Sequence, residues 1–168
     1  MTFDDLGLAA KVLKAIADIG WEQPTEVQEK TIPTAMLGKD MMVQAQTGTG
    51  KTATYGTVIM SRTGSGSRNP TALVLCPTRE LAAQVEKELF RLSRYTGHRS
   101  MAIYGGASYE MQIQKLRKGM DIVVGTPGRV KDLMQREELA LSYVKEVVLD
   151  EADRMLDMGF EEEVDFIM

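Results

Sequence analysis

The chain has one cysteine, one histidine and one tryptophan in 168 residues, and each scarcity closes off a class of protein. A lone cysteine, Cys76, cannot form an internal disulfide, which suits a reducing compartment. It lies in an apolar run and reads as a small core side chain. With His98 as the sole histidine, a zinc site built from His and Cys lacks ligands. Positive charge is short as well: 20 Lys and Arg stand against 24 Asp and Glu, for a formal charge of -4. A protein that grips nucleic acid by a bulk positive field is thereby excluded, and any such contact must be local. There is no basic leader with an apolar core, and no apolar run of membrane-spanning length. The expectation is a cytoplasmic protein with no membrane partner.

What is present is ordinary for a globular domain, with 43% hydrophobic and 26% charged residues. The length suits one domain over residues 1–168. Short apolar runs alternate with helical stretches, the mark of an α/β fold with a parallel sheet flanked by helices. Strands are expected at residues 41–45, 71–76, 100–104, 121–125 and 146–149. The runs Leu73-Val74-Leu75, Ile122-Val123-Val124 and Val147-Val148-Leu149 suit strands covered on both faces. Helical spacing links Ala9, Val12, Leu13, Ile16 and Ile19, with Gly20 placed as a C-terminal cap. A second stripe runs through Leu81, Val85, Leu89 and Leu92, and a weaker third through Met111, Ile113 and Leu116. The Gly- and Ser-rich residues 63–70 read as a mobile surface loop. The 12 methionines read as core filler.

Two strings carry chemistry. Ala45-Gln46-Thr47-Gly48-Thr49-Gly50-Lys51-Thr52 falls between an expected strand and an expected helix, as a phosphate-cradling loop requires. Gly48 and Gly50 let backbone N–H groups converge on phosphate oxygens without a Cβ in the way. Lys51 supplies a point charge for the outer phosphates, Thr52 offers a hydroxyl to magnesium, and the helix dipole favours an anion. The second string, Asp150-Glu151-Ala152-Asp153, closes an apolar strand. Asp150 is placed to hold the metal and Glu151 to orient or deprotonate an attacking water. Alternatively, Asp150 caps the next helix and its acidic neighbours are simply solvated. A third feature, Thr25 with Gln28 three positions on, is a capping box. The Gln28 amide could instead meet the Hoogsteen edge of adenine, with Phe3 or Trp21 stacked on the base.

These residues together resemble the N-terminal, RecA-like P-loop lobe of a DEAD-box ATP-dependent RNA helicase, over nearly the whole chain. Phe3, Gly20-Trp21 and residues 24–28 resemble the family's adenine-reading Q motif. The string at residues 45–52 resembles motif I, Ala45 included, and Asp150 to Asp153 resembles motif II. The resemblance implies ATP and Mg2+ as cofactors, with Gln46, Thr47, Gly48, Thr49, Gly50, Lys51 and Thr52 around the phosphates. It also implies RNA contacts from Pro77, Thr78 and Arg79, from Gly105-Gly106, and from Thr126, Pro127, Gly128 and Arg129. Taken on their own, these are strand-to-helix turns with capping threonines, and both arginines could pair with carboxylates. No aromatic platform interleaves them, so contacts to the sugar–phosphate backbone with little base preference are expected.

By the same resemblance, the Ser-Ala-Thr of motif III and the second RecA-like domain with its arginine-bearing motif VI are missing. The expectation is a fragment whose sheet lacks a central strand and which could self-associate through the open gap. An arginine finger contributes roughly 10³–10⁵ in rate, so the lone lobe is expected to hydrolyse ATP very slowly and not to unwind duplexes. In the full protein, single-stranded or locally duplex RNA and the second domain are the implied partners. Two other readings stand beside this one: a DNA-directed translocase of the same broad superfamily, and a non-catalytic binding module that keeps the lobe as a scaffold.

Overall fold

A computed structural model of the chain describes residues 1–46 and 48–168. The chain opens with a 3-10 turn, Phe3–Asp5, then α1 (Ala10–Ile19), α2 (Glu26–Met36) and α3 (Lys51–Arg62). From there strands and helices alternate: β1 (Ala72–Leu75), α4 (Arg79–Leu92), β2 (Ser100–Ile103), α5 (Tyr109–Arg117), β3 (Ile122–Gly125), α6 (Pro127–Gln135) and β4 (Glu146–Leu149). Two short helices, α7 (Ala152–Asp157) and α8 (Glu161–Ile167), finish it.

The four strands form one parallel sheet in the order β2-β3-β1-β4. Because side chains alternate along a strand, β1 feeds both faces. Ala72, Val74 and Cys76 join Val12, Ile16, Ile32, Val58, Val85 and Leu89 in a core under α1 to α4. Leu73 and Leu75 join Met101, Ile103, Leu116, Val130 and Leu133 in a second core under α5 and α6. The all-apolar strings of β1 and β3 follow from this, since both strands are buried throughout.

Helix ends behave as the sequence leads one to expect at α1, where Gly20 takes φ 93° and closes the helix. In α5 the buried residues are Gln112 and Leu116, while Met111 stands exposed. Of the third stripe, Leu116 and Ile113 do pack on the second core, and only Met111 departs from it, with Gln112 buried beside it. The loop at residues 63–70 is not left free. Asp121, fully buried, accepts from Ser67 N at 2.7 Å and Arg99 N at 2.8 Å, and Arg99 Nη2 donates to Ser67 O at 2.6 Å. Burial alone would raise the Asp121 carboxyl; the N–H groups of Arg99, Ser67 and Gly66 outweigh it and hold the group below the usual carboxylate range.

One expected strand does not form. Residues 41–45 pair with no described strand, and Met41, Met42 and Val43 lie exposed. A strand exists by its ladder, and β4, the near edge of the sheet, carries no neighbour on its outer side among the described residues. Arg62 donates from Nε to Glu146 Oε1 at 2.5 Å and from Nη1 to Met36 O at 2.9 Å, tying α3 to β4 and to the end of α2.

Candidate functional site

Parallel pairing sends every strand's carboxyl end to one rim, the place where open α/β sheets bind ligands. Cys76-Pro77-Thr78-Arg79 leaves β1 there, Tyr104-Gly105-Gly106 leaves β2, Thr126 to Arg129 leaves β3, and Asp150-Glu151 leaves β4.

The glycine loop reaches that rim through α3. Gly50 caps the helix at φ 82°, a left-handed conformation that a side chain resists, and a Cβ there would lie 2.5 Å from Gln28 Nε2. Two residues of the preceding segment stitch the loop down. Thr25 Oγ1 donates to Thr49 O at 2.8 Å, and Gln28 Nε2 donates to Gly50 O at 3.3 Å. The same Gln28 accepts from Thr25 N at 2.9 Å and completes the capping box of α2. With both ends of its amide engaged and only 4% exposure, Gln28 is held between helix cap and loop. Phe3 is seated in the core, and Trp21 packs half-buried against that core. Lys51 and Thr52 are half-buried at the start of α3, and Gln46 is exposed. Thr47, named with them, lies outside the described residues.

One contact joins loop helix and acidic string. Tyr55, one turn into α3, donates from its phenol to Asp150 Oδ2 at 2.7 Å. Asp150 is 8% exposed. Burial first, then the charges of Asp150 and Glu151, push the Cys76 thiol above its ordinary range, so it stays an inert neighbour.

A model described as DEAD/DEAH box helicase matches residues 25–168. The chain belongs to the DEAD/DEAH box helicase family. It is 47% identical over 166 residues to an ATP-dependent RNA helicase CshA of Listeria monocytogenes, covering 99% of this chain and 32% of that protein. An ATP-dependent RNA helicase DeaD of Mycobacterium tuberculosis is 49% identical over 168 residues, with 99% and 30% covered. A crystal structure of a DEAD box protein from the hyperthermophile Methanococcus jannaschii matches with a TM-score of 0.93 at 42% identity, over 99% of this chain and 46% of that one. The DEAD-box chain thus spans about a third of the length of the curated relatives it matches.

Along the rim of this DEAD-box sheet, the remaining motif residues differ in what they leave free. Thr78 caps α4 by accepting from Leu81 N at 3.2 Å, while Thr126 begins α6 without using its side chain as a cap. Pro77 and Pro127 are buried. Gly105, Gly106 and Gly128 are exposed, and Gly106 takes φ 83°. Arg79 is exposed above the Tyr104 ring, 5.2 Å from its centre. Arg129 is 9% exposed and already occupied: it donates to Gln112 Oε1 at 2.9 Å and Ala107 O at 3.2 Å, and lies 3.7 Å from the centre of the Tyr109 ring. Burial, with Arg136 nearby, lowers its pKa from the usual guanidinium range. Tyr104 and Tyr109 lie among these residues, each with its ring against an arginine.

Sequence reasoning missed Gln112 and Tyr55. Gln112 Nε2 donates to Tyr104 O at 3.2 Å while its Oε1 accepts from Arg129. The Gly105-Gly106 tip therefore hangs between two anchored carbonyls, those of Tyr104 and Ala107. A polar residue among the apolar positions of a weak helix was the available signal. Tyr55 had a plainer one, lying one helical turn beyond the phosphate loop. Between the Gly105 and Thr126 loops a shallow cleft of about 290 Å³ is lined by Tyr109, Arg129, Asp132 and Phe160 as well.

Proposed function

We propose that this chain is the ATP-binding, N-terminal RecA-like lobe (residues 1–168) of an ATP-dependent RNA helicase. A second lobe would complete it, so that hydrolysis drives local opening of RNA duplexes. The observation that carries the reading is the 2.7 Å contact between Tyr55 and Asp150, which brings the phosphate-loop helix against the acidic string on one rim. Family membership and the named activity of the relatives support it.

In this reading the N–H groups of residues 48–50 and Lys51 cradle the phosphates, and Gln28 exchanges its bond to the Gly50 carbonyl and its capping bond from Thr25 N for bonds to adenine. Among the described residues, no group of three or more His, Cys, Asp or Glu gathers into a metal cage. That fits magnesium, which is usually held by one or two carboxylates plus phosphate and water. Thr52 and Asp150 would hold it; Asp150 is a buried carboxylate with one oxygen on Tyr55 and no other side-chain partner among the described residues. When bound, the ion offsets charge on the transferring phosphate. Glu151 orients the water. RNA phosphates meet the N-termini of α4 and α6, the Gly105-Gly106 tip and Arg79. Arg129 shapes this surface from below. We also infer that the open flank beside β4 allows self-association.

The test is calorimetric titration of ATP against GTP with magnesium, followed by RNA against DNA of equal length. Binding of ATP in preference to GTP, lost in Lys51→Ala, is expected. Equal affinity for both nucleotides would remove adenine readout, and no binding of either would remove the ATPase reading. Equal binding of DNA would favour the translocase alternative.

A further inference from the structure

Tyr55 belongs to none of the recognised strings, yet its phenol is bonded to Asp150, one of the two residues of the proposed metal seat. It donates to Asp150 Oδ2 at 2.7 Å, from a position three residues along α3 from Thr52. Asp150 and Thr52 are the two residues assigned to magnesium above, and the inference rests on that assignment. Asp150 is 8% exposed, and Tyr55 supplies its one side-chain hydrogen bond among the described residues. A buried carboxylate with no partner is strongly unfavourable. Something must answer that charge when no metal is bound.

We propose that Tyr55 is a stand-in for the metal: in the nucleotide-free lobe its phenol satisfies and holds the Asp150 carboxylate, a task the magnesium–nucleotide complex then takes over. Tyr55 is thus a positioning residue whose contribution belongs mainly to the empty state. Removing it raises the free energy of the metal-free protein more than that of the loaded one. Linkage then requires the loaded state to gain more from its ligand.

Tyr55→Phe deletes one oxygen and keeps the ring that packs against the core. Its metal-free melting temperature should fall by roughly 3–10 °C, the size expected for losing a hydrogen bond to a buried charge. Addition of MgCl2 with ADP should raise the melting temperature more in Tyr55→Phe than in the unaltered chain, while ADP with EDTA should raise both equally. An equal rise with MgCl2 and ADP overturns the stand-in role. A smaller rise also overturns it, because the phenol would then be preparing Asp150 for the metal. In an Asp150→Asn background the charge is gone and Tyr55→Phe should cost little; a full-sized loss there would mean that the phenol oxygen acts independently of the Asp150 charge, and overturns the stand-in role. If neither protein responds to MgCl2 with ADP, the nucleotide reading fails and this inference falls with it. A normal response in the unaltered chain with no difference in the variant defeats the stand-in alone.

Discussion

Glu151 takes φ 54° and ψ 51°, in the left-handed region, at the N-cap of α7. For a residue with a Cβ this costs roughly 1–2 kcal/mol, and such outliers gather at functional sites. Its side chain is half-buried, with Arg154 Nη1 3.7 Å away. In a chain carrying both lobes, Glu151→Gln should keep nucleotide affinity within about twofold while single-turnover hydrolysis falls by about 10² or more. Undiminished hydrolysis would take the water-orienting role away from it. A second residue-scale expectation concerns His98, which is buried with Nε2 2.9 Å from Thr63 O and Nδ1 2.8 Å from Thr96 Oγ1. Burial pushes the imidazole below its ordinary 6.5, against smaller opposing effects of the Thr63 carbonyl and Asp121. As pH falls through 6.5 the unfolded chain takes up a proton that the folded one still refuses, so stability declines on the acid side. Urea unfolding at pH 7.5 and 5.5 should show a loss that shrinks in His98→Gln; identical losses would exclude His98 as the source.

At the scale of elements, the close approach of β3 to its neighbours is set by Gly125. A Cβ there would lie 2.4 Å from Val130 Cγ2 and 2.8 Å from Ile103 Cγ1, both rigid β-branched side chains. Gly125→Ala should therefore destabilise by roughly 1–3 kcal/mol in urea unfolding. Gly128→Ala, with nothing within 4 Å, should be near neutral. The clamp made by α5 is open to a separate test. Gln112→Leu frees the carbonyl of Tyr104 and removes one of the two acceptors of Arg129, loosening the Gly105-Gly106 tip. Affinity for a fluorescein-labelled oligouridine, read by anisotropy, should drop about 5–30-fold, as one to two kcal/mol of lost loop order implies, while ADP affinity holds. A parallel loss of both would mean simple damage to the fold.

For the molecule as a whole, the open flank is the feature with consequences. Beside β4, Val147 and Leu149 are exposed, as are Met41 and Met42. An apolar slot between Leu73, Leu141, Val144 and Ile167 opens beside Val147. Unpaired backbone next to apolar side chains invites edge pairing. Sedimentation equilibrium should show association rising with concentration, reduced by Val147→Lys; a monodisperse monomer at high concentration would remove this expectation.

Local chemistry was legible in the residues themselves. Capping at Thr25 and Thr78, the glycine turn at residues 48–50, and four of the strands follow from side-chain size, period and backbone freedom, which act over a few residues and need no distant partner. The strand expected at residues 41–45 was not decided there, because a strand depends on a neighbour supplied from elsewhere in the chain. Nor was the fate of Arg129, drawn inward by Gln112, or the meeting of Tyr55 with Asp150 across 95 positions of sequence. Contacts of that kind have no local signature. They arise only when parallel strands bring their ends to one rim and burial obliges each charge and amide there to find a partner.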